Sequence, residues 1–123
     1  MKLFVILGAI HAFLAVALGA FGSHGLEGKV DAKYLDIWKT AVQYQMFHAL
    51  GLIIVGFFMG QFGSSSALNW SGWLMFFGIL LFSGSLFVLV LTGISKLGAI
   101  TPIGGVAFLA AWVLLIVAAV KNM

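Results

Sequence analysis

The sequence predicts an all-α integral membrane protein: an antiparallel four-helix transmembrane bundle with an interfacial amphipathic helix between the first and second crossings. Three observations predict it. Of 123 residues, 63% are hydrophobic and 7% are charged, whereas a soluble domain carries about 25% charged residues. Nine charged side chains cannot cover a water-facing surface of this size, so lipid must be the solvent for most of it; the mean hydropathy of +1.22 agrees. Four apolar blocks, residues 3–21, 41–62, 70–92 and 103–120, contain no Asp, Glu, Lys or Arg. Each is near the ~20 residues that cross a hydrocarbon core about 30 Å thick. Finally, each block carries a seam of small or polar residues. In lipid such seams let helix backbones approach, because burial of apolar surface drives nothing there.

Helix is the state expected of all four blocks. Backbone groups in lipid must be satisfied within the segment, and the alternation of a barrel strand is absent. In block one the seam is Gly8, Ala12, Ala15, Gly19 and Gly22, with His11 beside it. Lys2 ahead of an apolar run and the small residues Gly19 and Ala20 also fit a signal peptide. The run is long and interrupted by Gly8 and His11, so a retained helix is expected. The next connection holds all three acids and three of the six lysines. Within it Val30, Tyr34, Ile37, Trp38 and Ala41 form one helical stripe, with Lys29, Lys33, Asp36, Lys39 and Thr40 off it. Residues 30–40 therefore read as an amphipathic helix in the membrane interface, with Asp31 as N-cap and Tyr34 and Trp38 as headgroup-level anchors.

Block two places Ala49, Gly56 and Gly60 on one side with Gln45 and His48. Its Gly56 and Gly60 form a GxxxG element that suits the bundle or a dimer equally. A short uncharged connection leads to block three, with Gly78, Ser85 and Thr92 at heptad spacing. Before block four, Thr101 as N-cap and Pro102 at the first helical position signal a helix start. Block four carries Gly104, Ala107, Ala111 and Ala118. The length fits a single domain, 1–123.

Charge and composition also exclude functions. Six lysines outnumber three acids, there is no arginine, and the lysines are dispersed. That is not the clustered basic face of a nucleic-acid binder. With no cysteine, disulfides, thiolate metal sites and cysteine nucleophiles are ruled out. Lys29, Lys33, Lys39 and Lys96 fall on the face of the first and third connections, against Lys2 and Lys121 on the other. The positive-inside rule then leans toward both termini outside.

The histidines are the candidate site. Blocks one and two run in opposite directions, so His11 and His48 lie at depths within about one helical turn of each other. His24 sits at the interface end of the same pair. One reading is structural: a neutral buried histidine ties helices through Gln45, Ser83, Ser85 or Trp112, whose indole N–H needs a partner. A second is a haem or metal site on His11 and His48, with or without His24. A third is a proton or ion path through His48 and Gln45. The structural reading is preferred, because no His pair has i, i+4 spacing and no acid lies inside the membrane. No cofactor is expected. Nor is enzyme chemistry: Glu27, Asp31 and Asp36 share one wet connection with lysines to pair with. Thr101, Gly104 and Gly105 open a helix that could hold an anion, although close packing explains such glycines more often.

Three stretches carry a family resemblance: GAFGSHGL (19–26), YQMFHALGL (44–52) and LGAITPIGG (97–105). In this order, with four apolar blocks, they resemble the small bacterial membrane proteins of domain-of-unknown-function family 423, related to the transmembrane protein 256 group. The family's Gly-Ala-His-Gly reads Gly22-Ser23-His24-Gly25 here. The resemblance implies an integral protein of the bacterial plasma membrane with no established activity. It marks His24, His48 and the Thr101–Gly105 turn as the pattern residues. His11 lies outside the motifs, which shifts interest to His24 with His48. The expected role is a non-enzymatic protein supporting envelope integrity or a membrane complex. Its partners would be the lipid bilayer and either a second copy or another membrane protein, not nucleic acid. A small transporter or channel is the rival.

Overall fold

The computed structural model describes residues 2–122. Four long helices dominate, each long and apolar enough to cross a membrane. We label them α1 (Lys2–Leu26), α2 (Ala32–Phe62), α3 (Ser66–Thr92) and α4 (Thr101–Asn122). The first is continuous but not uniform: a π-helical turn spans Leu18–Gly22, where the Ser23 N–H donates to the Leu18 carbonyl. Such a turn inserts one residue and re-aims the face beyond it. A tight bend at Gly28, whose φ is +79°, leads into α2. Asp31 does occupy the N-cap position, but its carbonyl and not its carboxylate serves the first turn, accepting from Tyr34 and Leu35.

The amphipathic stretch is helical, yet it is not a separate element. It forms the first turns of α2, which runs unbroken for 31 residues, roughly 46 Å at 1.5 Å per residue. No Gly or Pro interrupts residues 32–50, so nothing breaks the hydrogen-bond ladder where a bend was expected. Trp38 also departs from expectation. It is only 4% exposed, and its indole donates to the Leu18 carbonyl at 2.9 Å. Its ring lies against Gly22 and beside Phe87 of α3, centroids 4.7 Å apart. It fastens α2 to α1 and α3 instead of anchoring in headgroups.

The second connection shrinks to residues 63–65. Ser65 caps α3, its hydroxyl accepting from the Leu68 N–H at 3.2 Å. After Gly93 in the left-handed region, a 3-10 turn, Ser95–Ala99, leads to α4. Thr101 lies inside α4, and the Ile100 carbonyl accepts from Ile103 and Gly104. The threonine hydroxyl is thereby released to reach Ser85 of α3 at 2.6 Å.

Consecutive helices pack antiparallel, with α2 and α3 at the centre, α1 on one flank and α4 on the other; α1 and α4 share no extensive contact. The seam on α1 is Phe4, Gly8, His11 and Ala15, so His11 lies on it and Ala12 at its edge. Gly56 of the GxxxG pair is buried and Gly60 exposed. Aromatic rings fill the places that glycines leave: Phe4 lies on Gly72, and Phe108 on Gly78. Leu52, Val55, Leu68 and Met75 complete the core.

Gly8 is the tightest crossing of α1 and α2. A Cβ there would sit 2.6 Å from the Ala49 carbonyl oxygen, and backbone cannot yield as a side chain can. Gly8→Ala should therefore cost about 1–3 kcal/mol of overpacking. Gly25→Ala, at a helical position with nothing within 4 Å, should instead gain about 0.4–1 kcal/mol. Thermal unfolding of both variants in one detergent checks the opposite signs.

Candidate functional site

The three histidines do not converge; each has its own surroundings. His48 is buried on the α4 side of α2. Its Nδ1 is 2.8 Å from the Tyr44 carbonyl, one turn back, and its Nε2 accepts from the Trp112 indole N–H at 3.0 Å. A carbonyl only accepts and an indole N–H only donates. Both bonds are made together only by the neutral ring with its proton on Nδ1. The Phe108 ring stacks on the imidazole at 3.5 Å between centroids and 9° between planes. Of the partners the structural reading offers, His48 takes Trp112, so its ring faces α4 and not His11 or His24. With both nitrogens bonded, it has no lone pair to give a metal unless Trp112 moves away.

His11 and Gln45 do meet, through the backbone. The Gln45 amide donates to the His11 carbonyl at 3.1 Å, joining α2 to α1. The His11 ring, 9% exposed, packs edge-on against Phe76 of α3 at 5.4 Å. Its Nδ1 is buried without a hydrogen-bond partner. The proposed pairing of His11 with His48 does not form: the Gln45 amide reaches α1, while the His48 ring is held by Trp112 and Phe108 of α4. Among the described residues no three His, Cys, Asp or Glu side chains group as metal ligands.

His24 is exposed beyond the π-helical turn, its Nδ1 3.8 Å from a Glu27 carboxylate oxygen. It does not share a site with His48. It lines a cleft of about 400 Å³ where the end of α1 meets the start of α2, with Gly19, Ser23, Glu27, Lys39 and Gln43 among the walls. Sequence reasoning passed over Lys39 and Gln43. The signal was available in part: Ser23 and Glu27 are four residues apart, as are Lys39 and Gln43, which puts each pair on one helical face. That the two faces meet depends on the π turn.

The candidate anion site at the start of α4 is filled by protein. Gly104 is buried against the backbone of Leu81 and Phe82, Gly105 lies near the Phe82 ring, and the Thr101 hydroxyl is engaged by Ser85. These glycines let α4 close on α3.

The two hydrogen-bonded pairs predict a graded response. Trp112→Phe keeps an aromatic ring but strips His48 Nε2 of its donor, and should cost about 1 kcal/mol. Gln45→Leu should cost a similar amount by removing the bond to the His11 carbonyl. The two sites share no partner, so the double variant should show the sum to within about 0.5 kcal/mol. Unfolding equilibria in detergent give all three values.

Comparison with known proteins agrees that the chain is a membrane protein. The UPF0382 membrane protein YwdK of Bacillus subtilis (strain 168) is 60% identical over 123 residues, covering 100% of both chains. A UPF0382 membrane protein of Staphylococcus epidermidis is 55% identical over 121 residues, and one of Staphylococcus aureus (strain USA300) is 56% identical over 121; each alignment covers 98% of both chains. No solved structure matches. The family model described as "Protein of unknown function (DUF423)" matches residues 18–105, from the π-helical turn to the first turn of α4. The chain belongs to this family of small membrane proteins, DUF423.

Proposed function

We propose that the protein is a non-enzymatic component of the bacterial plasma membrane that supports envelope integrity or a membrane complex through fixed helix packing and contacts on its outer faces. One observation carries this reading: apart from the His11 ring, whose Nδ1 is unpartnered, the buried polar side chains of the bundle are spent on hydrogen bonds within it. Gln45 joins α2 to α1, Ser83 donates to the Ala41 carbonyl of α2 at 2.7 Å, and Ser71 donates to the Ala111 carbonyl of α4 at 2.7 Å. Trp112 joins α4 to His48. A transport path needs polar groups that are free to exchange partners with a solute. Here Gln45, His48, Ser83 and Ser85, the side chains such a path would use, already hold partners. The outer faces, rich in Phe, Leu, Ile and Val, meet lipid and a second copy or another membrane protein.

In this reading the end of the bundle that carries the first and third connections, with Lys29, Lys33, Lys39 and Lys96, faces the cytoplasm, and both termini face outside.

Two measurements test these statements. Proteoliposomes with the wild-type protein should pass protons and small ions no faster than empty vesicles. A flux that His48→Leu abolishes would establish the transporter instead. Because the chain lacks cysteine, single Ser64→Cys and Ser95→Cys variants report orientation. A membrane-impermeant maleimide applied to intact cells should label Ser64→Cys and spare Ser95→Cys; the reverse pattern would invert the topology.

A further inference from the structure

The cleft at the end of α1 has features that helix packing does not require. Two opposite charges line it without neutralising each other. Glu27 comes from the end of α1 and Lys39 from α2. The Glu27 carboxylate reaches only the His24 ring, at 3.8 Å, and among the described residues Lys39 has no acid within ion-pair reach. Ser23 and Gln43 add uncharged donors to the same walls. Gly19 lets Val42 of α2 close against α1, since a Cβ there would sit 3.0 Å from the Val42 Cγ1, so the floor of the cleft is backbone and apolar side chain. An apolar groove of about 380 Å³ runs along α1 beside Ala12, Phe13, Val16, Ala17 and Phe21. Val16 and Ala17 lie within one helical turn of Gly19. Along α1 this apolar surface precedes the cleft residues Gly19 and Ser23, on the side toward the hydrocarbon.

We propose that this cleft binds the headgroup of a membrane aminophospholipid, of the phosphoethanolamine class, with one acyl chain lying in the groove. The phosphate is an acceptor, and Lys39, the Ser23 hydroxyl and the Gln43 amide are donors. The ammonium is a donor, and the Glu27 carboxylate accepts from it. A zwitterion answers both charges. A phosphatidylglycerol headgroup satisfies Lys39 but brings its negative charge near Glu27. A choline headgroup carries methyl groups where Glu27 needs a hydrogen-bond donor. The apolar surface of α1 on the hydrocarbon side of the cleft favours a lipid over a soluble zwitterion, because only a lipid covers it. A cleft of about 400 Å³ is within the ordinary range for a small-molecule site. This inference is independent of whether the bundle serves a complex.

Native mass spectrometry of the full-length protein, released from detergent micelles, tests it. The protein is titrated with phosphatidylethanolamine, phosphatidylglycerol and phosphatidylcholine of matched chains, and with chain-free glycerophosphoethanolamine. Phosphatidylethanolamine should be retained about fivefold more than either other lipid. Glu27→Gln and Lys39→Gln should each lower that retention about fivefold. Both side chains are exposed, so the variants should melt at the wild-type temperature. Three results would each overturn the proposal. These are phosphatidylglycerol or phosphatidylcholine retained as well as phosphatidylethanolamine, retention unchanged by either substitution, or the chain-free headgroup bound as tightly as the whole lipid.

Discussion

A polar group inside a membrane must find its partner within the protein, because lipid offers none. The arrangement of this bundle follows from that constraint. Main-chain groups are satisfied within each helix, which fixes the secondary structure. Of the side chains that remain polar, Gln45, His48, Ser71, Ser83, Ser85 and Trp112 are satisfied by other helices or by their own preceding turn; the exception is His11, whose Nδ1 is buried without a partner. Three of these six bonds, from Gln45, Ser71 and Ser83, end on a backbone carbonyl of a neighbouring helix. A carbonyl already bonded in the ladder has a second lone pair, so it can accept a side chain without breaking the helix. Each bond is worth little by itself. Together they select one rotation of each helix about its axis, which apolar packing in lipid would leave loosely specified.

The central pair inherits most of these ties. Gln45 and Trp38 hold α1 to one side of α2, while His48 holds α4 to the other. On α3, Ser83 turns to α2, and Ser71 and Ser85 turn to α4. Small residues complete the fit, because each close approach puts a glycine beneath a ring or a backbone: Gly72 under Phe4, Gly78 under Phe108, Gly8 against Ala49. The outer helices then need only one specific face each. That explains why α1 and α4 leave broad apolar surfaces to lipid and pack on the centre instead of on each other. The same logic places the polar cleft at the membrane edge. There the π turn of α1 carries Ser23 and Glu27 round toward Lys39 and Gln43, at a depth where water and headgroups can compensate charge.

Particular residues mark how far the sequence could be read. The four apolar blocks became the four helices, and the small-residue seams became packing faces except at Gly60 and Thr92, which are exposed, with His11 shifted onto the first of them. Trp38 was misplaced because an amphipathic stripe at a membrane edge has two ways to bury its aromatic residues, in headgroups or in protein. Periodicity is the same for both. The π turn left no mark that a periodic pattern could register. It sits in LGAFG, where small residues suit an ordinary helix as well. Thr101 followed a strong local rule for a cap, and a tertiary hydrogen bond to Ser85 displaced it. His48 and Trp112 each needed a partner, but no local signal joins residues 64 positions apart.

The sequence by itself determined the solvent, the number of crossings, the helical state and the need for polar groups to be paired. These follow from composition, from segment length against bilayer thickness, and from the cost of unpaired groups in lipid. Only the tertiary structure decided which group meets which: His48 with Trp112 and not with His11 or His24, Gln45 with the His11 carbonyl, Glu27 and Lys39 across one cleft. Helical periodicity fixes which residues share a face but not which neighbour that face turns toward. One inserted residue in a π turn re-aims everything beyond it.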